Sequence, residues 1–243
     1  MSDYIIGRNP VMEAIRAGHS IDKIYIKDGE VQGSLKQITG AASQNGIAVM
    51  RVSKQRLDQM AEGNNHQGII AVAAAYDYCE VDDILSRAKD AGEPPFIVIC
   101  EKLTDPHNLG SIIRTSAGAG VHGIIISKHD SVGLNSTVAK VAAGAAEFMP
   151  VARVTNIASV MDGLKEDGIW ITGADISGDR SLYEADLKGA VAIVIGSEGK
   201  GMSRLVKEKC DFLVKIPMRD KLESLNASVA AALMIYEAAR SRF

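Results

Sequence analysis

The sequence predicts an α/β protein whose larger, C-terminal part is built on a mainly parallel sheet, preceded by a small α/β module. Three observations carry this. From Phe96 onward the chain contains near-continuous apolar runs separated by helix-like stretches, the pattern of strands buried on both faces by covering helices. Before Cys79 shorter helical and extended segments alternate, with Gly18, Gly46 and Gly63 at breaks. Between them stands Glu93-Pro94-Pro95, where a double proline stops a helix and favours extended backbone.

In the module the periodicity predicts helices over Pro10–Ala17, Ser34–Gln44 and Lys54–Ala61, and strands over Lys23–Lys27, Ile47–Val52 and Gly68–Tyr76. The module is assigned to residues 1–78 and a linker to 79–95, which holds the polar helical stretch VDDILSRAKDAG and the two prolines. The remaining domain spans residues 96–243. Its strand signals are FIVIC, GIIIS, MPVARV, IWITGAD, AVAIVIG and DFLVKIP. In open parallel sheets a ligand sits beyond the carboxyl ends of the strands, so the residues after Ile99, Ile195 and Ile216 are the candidate site.

The chain is 47% apolar and 23% charged with net charge −3, and no apolar run approaches the roughly 20 residues of a membrane helix. The first residues lack a basic start followed by an apolar stretch, so the expectation is a cytoplasmic protein with no membrane partner. Cys79, Cys100 and Cys210 are widely spaced with no CxxC pair, which argues against a disulfide framework or a structural metal site. Neither the slightly acidic balance nor the aromatic supply of one Trp, four Phe and six Tyr announces a nucleic-acid surface.

Three segments carry chemistry. After FIVIC comes EKLTDPHNLGSIIRT, where Asp105-Pro106 starts a turn, Asn108 can cap the next helix, and Arg114 falls in its second turn. After AVAIVI comes Gly196-Ser197-Glu198-Gly199-Lys200-Gly201-Met202, whose three glycines let backbone approach a ligand. It matches neither GxGxxG nor GxxxxGK[ST], and Glu198 sets a carboxylate where a phosphate would bind, so a nucleoside bearing a positive sulfonium suits the loop better. The third segment runs from Ile216-Pro217-Met218 to Ser224-Leu225-Asn226 and an Ala-rich helix that Ser224 or Asn226 can start. Taken singly, each segment also reads as an ordinary turn or cap.

In order and spacing, NLGSIIRTSAGAG, IVIGSEGKGMS and IPMRDKLESLNASVAAALMIYE resemble the three motifs of the SpoU/TrmH family of RNA 2′-O-methyltransferases, over the whole of residues 96–243. The module, with GRNPVMEAI near its start and NNHQGIIA near its end, is similar to that family's RNA substrate-binding domain. The resemblance is strongest to the branch that methylates a guanosine ribose in large-subunit (23S) ribosomal RNA. It implies a C-terminal trefoil knot of the SPOUT type and S-adenosyl-L-methionine as cofactor, held by Gly196, Gly201, Ile216, Met218 and Leu225. It also implies catalytic roles for Arg114, Asn108, Glu198, Ser224 and Asn226, RNA contact through Arg8, Asn9 and His66, a homodimer, and no metal. Within the family Arg114 matches the residue proposed as base. A guanidinium stays protonated in proteins, so clamping a phosphate and stabilising charge on the attacking oxygen is the second reading of Arg114.

Leu225, Val229, Leu233 and Tyr236 recur at spacings of four, four and three and form one apolar stripe. The stripe either covers the chain's own sheet or meets a second copy. Transfer RNA as substrate, a catalytically inactive RNA-binding protein, and a nicotinamide dehydrogenase are the alternatives. The last lacks GxGxxG after its first long strand.

Overall fold

In the computed structural model, residues 4–29, 31–219 and 224–243 are described. The chain divides into two compact units: one runs to Asp77 and includes Gly133–Ser136, and the other holds Tyr78–Val132 and Thr137–Phe243.

The first unit follows the order β1 (Tyr4–Ile6), α1 (Arg8–Arg16), β2 (Ile21–Lys27), α2 (Ser34–Gln44), β3 (Ala48–Val52), α3 (Lys54–Ala61) and β4 (Ile69–Ala73). Its sheet has the order β1-β4-β2-β3, with β4 antiparallel to both neighbours and β2 parallel to β3. Successive strand residues face opposite sides. Ile69 therefore packs with Val11, Ile24 and Ile38 beneath α1 and α2, while Ile70 packs with Leu57 and Met60 of α3.

The second unit contains α4 (Val81–Ala91), β5 (Phe96–Cys100), α5 (Pro106–Gly118), β6 (Gly123–Ser127), α6 (Ser136–Ala142), β7 (Val151–Val154), α7 (Ile157–Glu166), β8 (Trp170–Ala174), β9 (Arg180–Ser181), β10 (Val191–Ile195), α8 (Arg204–Lys209), β11 (Phe212–Lys215) and α9 (Ala227–Ala239). The seven strands lie in the order β7-β6-β5-β10-β8-β11-β9, and every pairing is parallel. Phe96–Cys100 and Val191–Ile195 are buried along their whole length, as their unbroken apolar runs predict.

Three differences from the sequence expectations have physical causes. Residues 79–95 are not a spacer: α4 belongs to the second unit, Ile84 and Ala88 are wholly buried, and its N-terminus carries a reciprocal cap between Glu80 and Asp83. The Pro95 carbonyl accepts from Val191 N–H at 2.8 Å, which ties the extended stretch to β10. The strand β1 has only three residues and exists through its pairing with β4. Likewise β9 has two and exists through β11. Among the described residues no helix is long and apolar enough to cross a membrane, and no group of three or more His, Cys, Asp or Glu could hold a metal ion.

Candidate functional site

β10 lies at the centre of the sheet between β5 and β8, and the loops leaving the carboxyl ends of these strands build the site. After β5, Asp105 caps α5 by accepting from His107 N–H at 2.8 Å, with Pro106 at the first helical position. Proline there loses no hydrogen bond, because the first helical N–H groups have no intrahelical partner. This corrects the expectation that Asn108 is the cap, and it moves Arg114 from the second turn to the third. Freed from capping, Asn108 is 4% exposed and its Nδ2 donates to Glu198 Oε1 at 2.8 Å. Thr104 N–H and Oγ1–H donate to Glu198 Oε2 at 3.3 Å each, and Asp105 N–H reaches Oε1 at 3.4 Å. Burial works to raise the Glu198 pKa, but the Asn108 amide and the backbone N–H groups outweigh it and hold the carboxyl below its ordinary value. Glu198 is therefore the clasp between the first two motifs, and its charge is already hydrogen-bonded by protein.

The glycine loop after β10 folds back on itself. Ser197 N–H donates to the Gly201 carbonyl at 3.0 Å and Gly201 N–H to the Ser197 carbonyl at 2.9 Å. A Cβ on Gly196 would lie 2.2 Å from the Gly201 carbonyl carbon and the Met202 nitrogen, so the residue must be glycine for the loop to close. Gly201 also has φ +65, a conformation costly for other residues. The loop is further anchored by buried Glu101, which accepts from Ser203 N–H at 2.7 Å.

A cavity of about 340 Å³ opens beyond β8, β10 and β11. Ile195, Ile216, Met218 and Leu225 give it apolar walls, and Gly196–Gly201 and Ser224 border it. All five residues expected to hold the cofactor thus line one cavity, together with Glu198 and Ser224 of the expected catalytic set. Asn226 does not line it. It caps α9, its Oδ1 accepting from Ser228 N–H and Oγ–H at 2.9 and 2.7 Å and from Val229 N–H at 3.4 Å. Arg114 is exposed, does not line the cavity, and stands about 9 Å along α5 from Asn108 at 1.5 Å per residue. Residues 220–223 of the third motif lie outside the described residues. Two cavity residues, Asp175 and Lys207, escape the sequence reading; the available signal is that Asp175 directly follows IWITGA, a strand end of the kind searched elsewhere.

In the first unit Arg8 and His66 line a separate cavity of about 710 Å³ with Lys27, Lys54, Asn64, Asn65 and Gln67. Asn9 is exposed and outside it. His66 is 8% exposed; its Nδ1 accepts from Gly68 N–H at 2.9 Å, so in the neutral ring Nε2 carries the proton and faces Asp58 Oδ1 at 2.9 Å. Both ring nitrogens are engaged in holding the NNHQG loop. Arg8 donates from Nε to the Gln67 carbonyl at 3.0 Å and from Nη1 to Ser34 Oγ at 3.2 Å.

A parallel sheet with a glycine-walled cavity of mixed apolar and polar lining at its carboxyl edge, tied to a capped helix by a buried amide, defines an α/β domain with a ligand site where such sheets hold their ligands. Comparison with known proteins makes the class specific. The SpoU rRNA methylase family model matches residues 95–236, more than half of the chain, and a model described as RNA 2′-O ribose methyltransferase substrate binding matches residues 4–79. The chain belongs to the SpoU rRNA methylase family, a family of RNA methyltransferases. It is 49% identical over 240 residues, 99% of this chain and 96% of the relative, to YacO of Bacillus subtilis, which is named for the TrmH family of tRNA/rRNA methyltransferases. It shares its fold with the SpoU methyltransferase AviRb from Streptomyces viridochromogenes in complex with AdoMet, at TM-score 0.63 and 24% identity over 98% of this chain and 90% of that one. An AdoMet-bound rRNA methyltransferase from Sinorhizobium meliloti gives TM-score 0.62 at 22% identity, over 99% and 87% of the two chains.

Proposed function

We propose that this protein transfers a methyl group from S-adenosyl-L-methionine to the ribose 2′-hydroxyl of a guanosine in 23S ribosomal RNA, acting in the cytoplasm as a homodimer. The observation that carries this reading is the single cavity in which Gly196, Gly201, Ile216, Met218 and Leu225 converge, with the first motif tied to its rim through Asn108 and Glu198. The fit is chemical as well as spatial. Apolar walls suit an adenine ring, and the glycine-loop backbone offers N–H and C=O groups.

Bound there, S-adenosylmethionine would supply a methyl group already activated by its sulfonium charge, so no metal is required. What remains for the protein is to hold the ribose oxygen in line and stabilise it as it loses its proton. Glu198 and Asn108 fix the loop that frames the reacting end. Ser224 borders the cavity, where it would meet the nucleotide, and Asn226 fixes the start of α9 two residues further on by capping it. Arg114 clamps the neighbouring phosphate and stabilises charge on the oxygen, because a guanidinium cannot serve as a base at neutral pH.

Arg114 does not reach its own chain's cavity, which favours a site completed by a second copy. The apolar stripe along α9, continued by Leu225 just before its N-cap, agrees. Leu225, Val229, Leu233 and Tyr236 are 37, 47, 36 and 49% exposed, while Ala231, Met234, Ile235 and Ala238 face the chain's own core. The stripe therefore does not cover its own sheet, and a two-fold partner is its proposed cover. The first unit presents RNA through the face around Arg8, Lys27 and Lys54, with Asn9 beside it. The test is methyl transfer from labelled cofactor to 23S rRNA and, separately, to transfer RNA, followed by nuclease and phosphatase digestion. Label on the 2′-oxygen of a 23S guanosine supports the reading. Label on transfer RNA alone, or on a base, overturns it.

A further inference from the structure

The cavity wall holds an ion pair that the reaction described above leaves without a role. Asp175, directly after β8, has a side chain 8% exposed, and its Oδ2 lies 2.6 Å from Lys207 Nζ on α8. Its Oδ1 accepts from Ser177 N–H at 3.0 Å and Ser177 Oγ–H at 2.6 Å. Its backbone N–H donates to the Val214 carbonyl at 2.9 Å, and a Cβ on Gly178 would meet the Val214 carbonyl carbon at 2.7 Å, so the whole turn is packed against β11. Burial pushes the Asp175 pKa up, but Lys207 and the Ser177 donors outweigh it and keep the carboxyl below its ordinary value. It is a fixed carboxylate at neutral pH.

A carboxylate offers about four acceptor positions. Among the described residues, Ser177 takes both on Oδ1 and Lys207 takes one on Oδ2, which leaves one on Oδ2, the oxygen that faces Gly201 across the cavity wall. Asp175 stands on the β8 side of β10, whereas Asn108 is on the β5 side. In the cofactor reading, where Asn108 and Glu198 frame the reacting end, it would therefore meet a part of the ligand away from the methyl group. Resting on the cofactor reading above, we propose that Asp175, held by Lys207 and Ser177, is a positioning residue for the cofactor, its remaining Oδ2 lone pair accepting one hydrogen bond from a donor on the non-reacting part of S-adenosylmethionine. Two groups there have the right chemistry, a ribose hydroxyl and the amino-acid ammonium. The bland alternative is an ion pair that only ties the β8 turn to α8.

Calorimetric titration separates them, with S-adenosylhomocysteine and 5′-methylthioadenosine as probes and full-length wild type, Asp175→Asn and Lys207→Gln as proteins. Loss of a charge-assisted hydrogen bond predicts that Asp175→Asn binds S-adenosylhomocysteine about tenfold to a hundredfold more weakly. KM for the cofactor should rise with kcat at saturation within about threefold, the pattern of lost ground-state binding. Lys207→Gln leaves the carboxylate unclamped and should weaken binding in the same direction, which preserves the test if Asp175→Asn does not fold. If the donor is a ribose hydroxyl, Asp175→Asn weakens 5′-methylthioadenosine equally; if it is the ammonium, 5′-methylthioadenosine binds both proteins alike. Unchanged affinity for S-adenosylhomocysteine in both variants, with earlier thermal unfolding, would overturn the assignment and leave the cofactor reading intact. A wild-type protein that binds neither probe would overturn the cofactor reading itself.

Discussion

Replacing Glu198 by Ala should loosen the two halves of the site from each other. The side chain accepts one short hydrogen bond from Asn108 at 2.8 Å and three longer ones from Thr104 and Asp105 at 3.3–3.4 Å. A short bond to a charged group contributes about 1.5–3 kcal/mol, and long contacts contribute a fraction of that. Removing the acceptor also strands the Asn108 amide, which is 4% exposed, so a total near 3 kcal/mol is expected. At about 2–4 °C per kcal/mol for a domain of this size, the second unit should melt about 6–12 °C lower. Trp170, the one tryptophan of the chain, lies in β8, so tryptophan emission, excited where tyrosine does not absorb, reports that unit alone. Glu198→Gln keeps one acceptor and should lose roughly half as much. The pH dependence has a definite sign. The folded carboxyl titrates below its ordinary value, so the contribution is present above the ordinary glutamate range near pH ~4.3 and disappears as pH falls through the folded value. The gap between wild type and Glu198→Gln should close in acid. A Glu198→Ala protein that melts with the wild type at neutral pH would refute the clasp.

Three further outcomes follow from the site. Arg114→Ala should abolish methyl transfer while S-adenosylhomocysteine affinity stays within about threefold, because Arg114 lies outside the cavity; Arg114→Lys should also be poor for want of the planar fork, and near-native turnover by the lysine variant would contradict the clamp. Leu233→Asp, on the exposed stripe of α9, should shift the sedimenting mass from twice 25.8 kDa to once and lower activity with it; a fully active monomer would remove the shared-site reading. A chain lacking residues 1–77 should keep a folded, cofactor-binding second unit, whose core is separate, and lose efficient methylation of structured RNA. Undiminished activity on that RNA would deny the first unit its role.

The large strands were legible because parallel strands buried on both faces write themselves as unbroken apolar runs. FIVIC and VAIVI lie at the predicted places, and α2 and α3 match because polarity and periodicity change together at their ends. The short strands β1 and β9 were not legible, since nothing within two or three residues distinguishes a strand from extended loop until a partner pairs with it. The region 79–95 resembles a linker because α4 is polar over most of its surface and runs into Pro94-Pro95, yet Val81, Ile84, Leu85 and Ala88 form one apolar stripe that packs on the core of the second unit. Asn108 looks like a cap because asparagine favours that position, but Asp105 followed by Pro106 is the better start. The cavity residues of the second and third motifs could be named from sequence. The Asn108–Glu198 clasp, spanning 90 residues, and the Asp175–Lys207 pair could not, because both are products of sheet order rather than local pattern.

The central claim is the reaction itself, and its most direct measurement is a transcriptome-wide map of ribose 2′-O-methylation in RNA from a strain lacking this protein, its parent, and the deletion strain complemented with wild type or Arg114→Ala. The account predicts that one guanosine in 23S rRNA loses its 2′-O-methyl group in the deletion, regains it with the wild-type copy, and stays unmethylated with Arg114→Ala. An unchanged 23S map, or a methyl group lost from transfer RNA instead, would contradict it.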